Sequence, residues 1–174
     1  MRKILILLLL ILSASLFGAS EYKLKAAYIY NIAKFVQWPD GTFATTDAPL
    51  HIGIYGDDPF GVYIDALKGK KVGKHPLRIS RIKKIEEIDR IQILYVSKSE
   101  ASQMKKIREK LDKKVILSIS DMDDFISRGG VMQLRTVKNR LKMVINMRRA
   151  TDHRLHFSAK LLEIATLVEV ETGL

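Results

Sequence analysis

The residues best suited to chemistry lie together near the carboxyl end of the chain, in segment 148–156, RRATDHRLH. Its cationic or titratable side chains are Arg148, Arg149, His153, Arg154 and His156. Arginine donates paired hydrogen bonds to carboxylates and phosphates, and the amino end of the helix predicted to follow would add free N–H groups. Arg154 and His156 flank one apolar residue, so on an extended segment they point the same way. The segment predicts an anion or small-ligand pocket; the alternative is a solvated charged loop.

Trp38 is the third candidate ligand-binding residue. Its indole offers a flat apolar face and one hydrogen-bond donor, which suits an aromatic ligand. The alternative is a core residue that ends the first helix, because Trp is highly buried on average. We therefore predict a small anionic or aromatic ligand, with Arg154, His156 and Trp38 as its binding residues.

Two groups of residues have types that could hold a metal ion. The first is Asp152, His153 and His156, and the second is Asp121, Asp123 and Asp124. The first has neither cysteine nor the spacing typical of a zinc site. The second lacks the glycine and distal glutamate of an EF-hand loop, and acidic residues also favour the first turn of a helix. We predict no metal site and no cofactor.

The glycine-containing turn at residues 53–61, GIYGDDPFG, follows an apolar run and could hold a phosphate at a helix amino end. Its spacing is neither a dinucleotide fingerprint nor a P-loop, and Asp57 and Asp58 would repel an anion. A phosphoacceptor site of the response-regulator type would need an aspartate where residues 95–97 read YVS. The chain also has no G-x-S-x-G motif and no cysteine, so we predict that it is not an enzyme.

The amino-terminal residues have the pattern of a secretory signal peptide. Arg2 and Lys3 precede the apolar run Ile4–Leu12, and the small residues Gly18 and Ser20 suit a cleavage site before Glu21. The alternative is an uncleaved anchor, but the run is short for a bilayer span of ~20 residues. We predict a signal peptide at residues 1–20, one domain at residues 21–174, and a periplasmic location.

The chain is basic, with 30 Lys and Arg against 19 Asp and Glu. Export argues against a nucleic-acid partner. The remaining partners for such a charge are an anionic membrane surface, an acidic protein domain or an anionic small ligand. The alternative is a solvated basic surface with no specific partner.

Helical and strand patterns alternate along the chain. Pro, Gly and Asp residues between these patterns mark turns and helix ends, and they set the predicted boundaries. The predicted helices are 21–37, 59–67, 85–88, 99–111, 122–127 and 157–168. The predicted strands are 50–55, 77–82, 91–96, 115–119, 131–137 and 141–145, the last two joined as a hairpin at Lys138-Asn139. This alternation predicts a three-layer α/β sandwich with a mostly parallel sheet, helices on both faces and an antiparallel C-terminal hairpin.

Two segments of the chain resemble the YfiR-like family. Residues 24–39, LKAAYIYNIAKFVQWP, are similar to its opening motif, and residues 141–146, LKMVIN, with residues 155–165, LHFSAKLLEIA, to its closing motif. The order and spacing of the middle of the chain are consistent with this. The resemblance spans essentially all of residues 21–174.

The resemblance implies a periplasmic α/β protein that forms a homodimer and represses an inner-membrane diguanylate cyclase, thereby lowering cyclic di-GMP and biofilm formation. It also implies a small-ligand role for Arg154 and His156, which match an Arg and a His one residue apart in a member of the family. The disulfides of that member have no counterpart here, because the chain has no cysteine. The alternative is a ligand-binding module that acts on a sensor kinase or an outer-membrane receptor.

Overall fold

The computed structural model describes residues 21–171, so the predicted signal peptide at residues 1–20 lies outside the described residues. The first helix, α1, includes residues 21–35. The other α-helices are α2 (Val62–Asp65), α3 (Met104–Leu111), α4 (Met147–Asp152) and α5 (Ala159–Glu163). The strands are β1 (Val36–Gln37), β2 (Leu50–Tyr55), β3 (Lys71–Val72), β4 (His75–Ile82), β5 (Ile93–Val96), β6 (Leu117–Ser120), β7 (Met132–Val137), β8 (Arg140–Asn146), β9 (His156–Phe157) and β10 (Thr166–Val168).

Eight of the strands form one sheet in the order β10-β8-β7-β6-β5-β2-β4-β3. The five strands from β4 to β7 in this order are parallel. Antiparallel pairs flank these five strands, β3 with β4 on one side and β7 with β8 on the other. The mostly parallel α/β sandwich and its antiparallel C-terminal hairpin are thus confirmed.

The sheet is covered on both faces, and alternate residues of β5 show this directly. Ile93 and Tyr95 pack in one apolar cluster together with Ile29 of α1. Leu94 and Val96 belong to the other cluster, which includes Met104, Ile107 and Leu111 of α3. A strand buried on both faces reads as a continuous apolar run, which is why the sequence ILYV gives a central parallel strand.

The prediction of one helix from Phe157 to Val168 is wrong. The helix ends at Glu163, and Thr166–Val168 form β10, which pairs in parallel with Val144–Asn146 of β8. Residues 164–168, IATLV, suit either structure by pattern alone. The backbone N–H and C=O groups at the free edge of β8 would stay unpaired if the helix continued, so residues 166–168 pair with them as a strand.

The predicted helix at residues 122–127 is also wrong, because these residues form turns. The amide of Gln133 donates to the carbonyls of Met122 and Asp123, at 2.6 and 2.9 Å. Gln133 thus supplies a side-chain donor to both carbonyls, and the Met122 carbonyl also accepts from the Phe125 amide at 3.3 Å, which is the spacing of a turn and not of an α-helix.

The buried face of α1 does not include every apolar residue of the helix. Leu24 and Ala27 are exposed. The residues that face the sheet are Lys25, Ala26, Ile29, Ile32 and Ala33. Within residues 21–171, no helix has the length and apolar character needed to cross a membrane.

Candidate functional site

A buried group of charged and hydroxyl side chains lies where β5 and β6 end. We call Tyr22, Lys25, Tyr95 and Asp121 the ion cluster. The Lys25 ammonium donates to Asp121 Oδ2 at 2.6 Å, and each partner's side chain is 2% exposed. The hydroxyl of Tyr22 donates to the same oxygen and that of Tyr95 to Oδ1, both at 2.8 Å. Asp121 is therefore the acceptor that joins α1 to the sheet.

The Asp121 carboxyl of the ion cluster is ionised at neutral pH. Burial raises the pKa of Asp121, but the hydrogen bond and charge of Lys25 and the two tyrosine hydroxyls lower it more, so the net pKa lies below its ordinary value. Burial and the nearby carboxylate raise the pKa of Tyr22 and of Tyr95. Both hydroxyls thus stay protonated and able to donate, and the cluster acts as a fixed ionic link.

The ion cluster also fills a place where many folds of this kind bind ligands. In parallel sheets with this strand order, ligands bind beyond the carboxyl ends of the strands at the point where the order reverses, here between β2 and β5. The ring of Phe60 packs edge-on against Tyr22 and Tyr95, with centroids 5.4 and 4.6 Å apart. The chain's own side chains therefore occupy this crevice.

Asp121 is one of the three carboxylates whose types could hold a metal ion, and the cation beside it is the ammonium of Lys25 from another part of the chain. Asp123 and Asp124 are exposed, and Asp124 pairs with Arg128 at 3.2 Å. Lys25 was missed because a lysine in an amphipathic helix usually faces solvent. Its position between Tyr22 and Ile29 on one helical face was the available signal.

Trp38 lines an open cleft of about 590 Å³ formed by loop 38–46 and residues 73–75. Its ring packs edge-on against Phe43 at 6.4 Å, and Phe43 stacks on the imidazole of His75 at 3.8 Å. The indole N–H is buried and has no hydrogen-bond partner among the described residues. Asp40 and Lys74 add one charge of each sign to the lining. The cleft therefore offers an aromatic surface and one charge of each sign, while the indole N–H itself is enclosed.

Arg154 and His156 lie on a separate, small element. β1 and β9 form a two-stranded antiparallel ribbon in which His156 is the partner of Gln37. His156 is exposed, as is Arg154, whose φ of 56° is in the left-handed region. Trp38 follows β1 directly, but neither Arg154 nor His156 lines its cleft. The structure brings the three residues to one region without joining them in one pocket.

The other three cationic or titratable side chains of segment 148–156 are engaged elsewhere, so the five groups named in the sequence do not form one pocket. The segment contains its own helix, α4, in which Arg148 pairs with Glu171. Arg149 is buried and donates to the Gly129 carbonyl at 3.1 Å and to Asp112 at 2.8 Å.

His153 is buried as well, and its Nδ1 lies 2.8 Å from the Lys114 carbonyl. Burial lowers the pKa of His153, and the charge of Arg149 lowers it further, so the ring is neutral near pH 7. Asp152 pairs with Arg149 at 3.3 Å instead of lying free beside the histidines. In residues 21–171, no three His, Cys, Asp or Glu side chains are grouped closely enough to hold a metal ion.

A family model described as YfiR/HmsC-like matches residues 22–166. No curated protein matches the chain. The matched range begins with α1, which carries Lys25, and ends at the start of β10, so it includes the ion cluster, the Trp38 cleft and the β1–β9 ribbon. Proteins of this family are periplasmic and regulatory. The chain therefore belongs to the YfiR/HmsC-like family.

Proposed function

We propose that this protein is a periplasmic binding protein that represses an inner-membrane diguanylate cyclase and so lowers cyclic di-GMP. The observation that carries the proposal is the family match across residues 22–166. The signal-peptide pattern of residues 1–20 supports the location, because it would deliver the domain to the side of the membrane where such a partner exposes its sensory part.

The proposed mechanism is binding and not catalysis. The most deeply buried ionisable groups, Lys25, Asp121, Arg149 and His153, are held by partners within the fold. Their fixed geometry supports a rigid domain that presents a surface to its partner. Repression would follow if this protein binds the inactive state of the cyclase more tightly than the active state. The shift in the free-energy difference between the two states can be no larger than the difference between the two binding free energies.

Deleting the gene tests this proposal directly. Cellular cyclic di-GMP should rise, together with biofilm mass, and a plasmid copy of the full chain should restore the original level. The matched control is a copy that lacks residues 2–20, which should be made but should not repress, because it stays in the cytoplasm. Unchanged cyclic di-GMP in the deletion strain would exclude the repressor role.

The second candidate function is a small-ligand-binding module that acts on a sensor kinase or receptor, and the Trp38 cleft favours it. The unpartnered indole N–H beside stacked Phe43 and His75 is an unused donor next to a flat aromatic surface. Arg154 and His156, exposed on the neighbouring ribbon, are proposed to bind an anionic group of such a ligand or of a second molecule.

Trp38 is the only tryptophan of the chain, so its fluorescence reports on this cleft alone. Titration with nucleotides and aromatic amino acids should shift the emission if a ring enters the cleft. Phe43→Ala should weaken that response, whereas Arg154→Ala and His156→Ala should change only the binding of anionic ligands. Sedimentation with and without ligand would test the proposed homodimer in the same samples. A spectrum that no compound changes would argue against a ligand in this cleft.

A further inference from the structure

The β7–β8 hairpin extends beyond its neighbours in the sheet. β6 pairs with β7 only at Met132 and Gln133, and β10 pairs with β8 only at Val144–Asn146. The intervening residues, 134–143, form a two-stranded ribbon whose tip, Lys138-Asn139, has two left-handed φ angles, as the favoured two-residue turn requires. We call residues 134–143 the basic ribbon.

One face of the basic ribbon carries cations directly opposite each other. Arg135 is the cross-strand partner of Lys142, and Val137 is the partner of Arg140. Because side chains alternate along a strand, these four share one face, and all are exposed. Lys138 adds a further positive charge at the tip. Like charges at directly opposite positions destabilise a hairpin, so folding alone does not account for this arrangement.

The described part of the chain supplies no counter-charge to this face. Within residues 21–171, Arg135, Lys138, Arg140 and Lys142 form no ion pair, although several other cations of the chain do. Glu21, whose carboxylate accepts from Thr136 on the other face of the ribbon at 2.9 Å, is already paired with Lys25 at 2.7 Å. The positive face is therefore left for an external anion.

We propose that the basic ribbon is the docking surface for an acidic, extended segment of a protein partner. This inference deepens the proposed function. The identity of the partner rests on that function, whereas the docking surface itself does not. Among the described strands, none pairs with the outer edge of β8 along residues 140–143, so an extended peptide can pair with its backbone while acidic side chains meet the cations. A membrane surface fits less well, because the two tip residues carry no apolar side chain and Val137 is the one large apolar side chain of the ribbon that is exposed.

The test compares two double charge reversals in the chain of residues 21–174. Arg140→Glu with Lys142→Glu changes the ribbon, and Lys83→Glu with Lys105→Glu changes the net charge equally at exposed positions outside it. The probe is a labelled oligo-glutamate peptide, measured by fluorescence anisotropy at two salt concentrations. Binding should fall at least tenfold in the ribbon variant and less than twofold in the control variant, and salt should weaken the wild-type binding.

The ribbon variant should remain folded, because replacing Lys142 by Glu puts opposite charges at the pair with Arg135. Its melting temperature should be no lower than that of the wild type. Lost binding without lost stability therefore distinguishes a docking surface from a structural element. Equal losses in the two charge-reversal variants would overturn the inference.

Further measurements distinguish an acidic peptide from a membrane surface or a second copy of the chain as the binding partner of the ribbon. They also distinguish failure of this inference from failure of the proposed function. Binding to phosphatidylglycerol vesicles that depends on the ribbon, without any difference on the peptide, would overturn the inference in favour of a membrane surface. Dissociation of a dimer by the ribbon variant alone, again without a peptide difference, would do so in favour of a second copy. If gene deletion raises cyclic di-GMP but the ribbon variant represses normally, the inference fails and the proposed function stands. If gene deletion leaves cyclic di-GMP unchanged but the ribbon variant still binds the peptide more weakly than the control variant, the inference stands and the proposed function fails.

Discussion

Replacing Lys25 with methionine should strongly destabilise the fold. The substitution keeps the volume and apolar stem of the side chain but leaves the Asp121 carboxylate buried without its ammonium partner. Removing one partner of a buried ion pair costs about 3–5 kcal/mol. Asp121 keeps the hydroxyls of Tyr22 and Tyr95, and the ammonium of Lys98 lies 3.8 Å away, so we expect the lower end of this range.

Thermal unfolding of residues 21–174, followed by circular dichroism, measures this loss. A loss of about 3 kcal/mol corresponds to a fall in the melting temperature of roughly 6–12 °C for a domain of this size. The dependence of the free energy of unfolding on pH in the acid range gives a second measurement. In the wild type the pKa of Asp121 lies below its ordinary value of 3.8, so its stabilising charge is present above that value and is lost as the pH falls through the lower folded pKa.

In Lys25→Met, burial without the ammonium should raise the pKa of Asp121 above its unfolded value. Protonation then stabilises the variant, so the difference from the wild type should shrink as the pH falls from about 7 towards about 4.5. The matched control is Lys25→Met combined with Asp121→Asn, which removes both charges and keeps an acceptor for the tyrosines. It should recover most of the lost stability. A double variant whose loss equals the sum of the single losses would refute the ion-pair reasoning.

The remaining predictions concern a buried histidine and a close glycine contact. Because burial holds the folded pKa of His153 below its ordinary 6.5, the unfolded chain binds more protons and stability should fall as the pH drops below that value. His153→Gln should reduce this slope between about pH 6.5 and about pH 5 in urea titrations, and an unchanged slope would contradict the assignment. Gly130→Ala should cost about 1–3 kcal/mol in urea unfolding, because the added Cβ would overlap the buried ring of Phe125. Adding Phe125→Leu should recover part of that loss, and no recovery would point to a cause other than the ring.

The sequence predicted the elements whose signals are local. The apolar run in β5 indicated a strand buried on both faces, and the Lys138-Asn139 turn indicated the C-terminal hairpin. The motif at residues 24–39 identified the family, and the family match confirms that resemblance. These features depend on propensity and periodicity over a few residues, which a sequence displays directly.

The tertiary structure decided the features that join distant residues. Lys25 and Asp121 are 96 positions apart, and the position of Lys25 on one face of α1 does not indicate which carboxylate it meets. The cleft of Trp38 likewise needs His75 from another strand, and β10 forms because β8 offers a free edge. The sequence alone indicated the central strands, the C-terminal hairpin and the family to which the chain belongs, but not β10 or the turns at residues 122–127. The fold determined which faces are buried and which charges are paired, because burial and backbone pairing depend on contacts between segments remote in the chain.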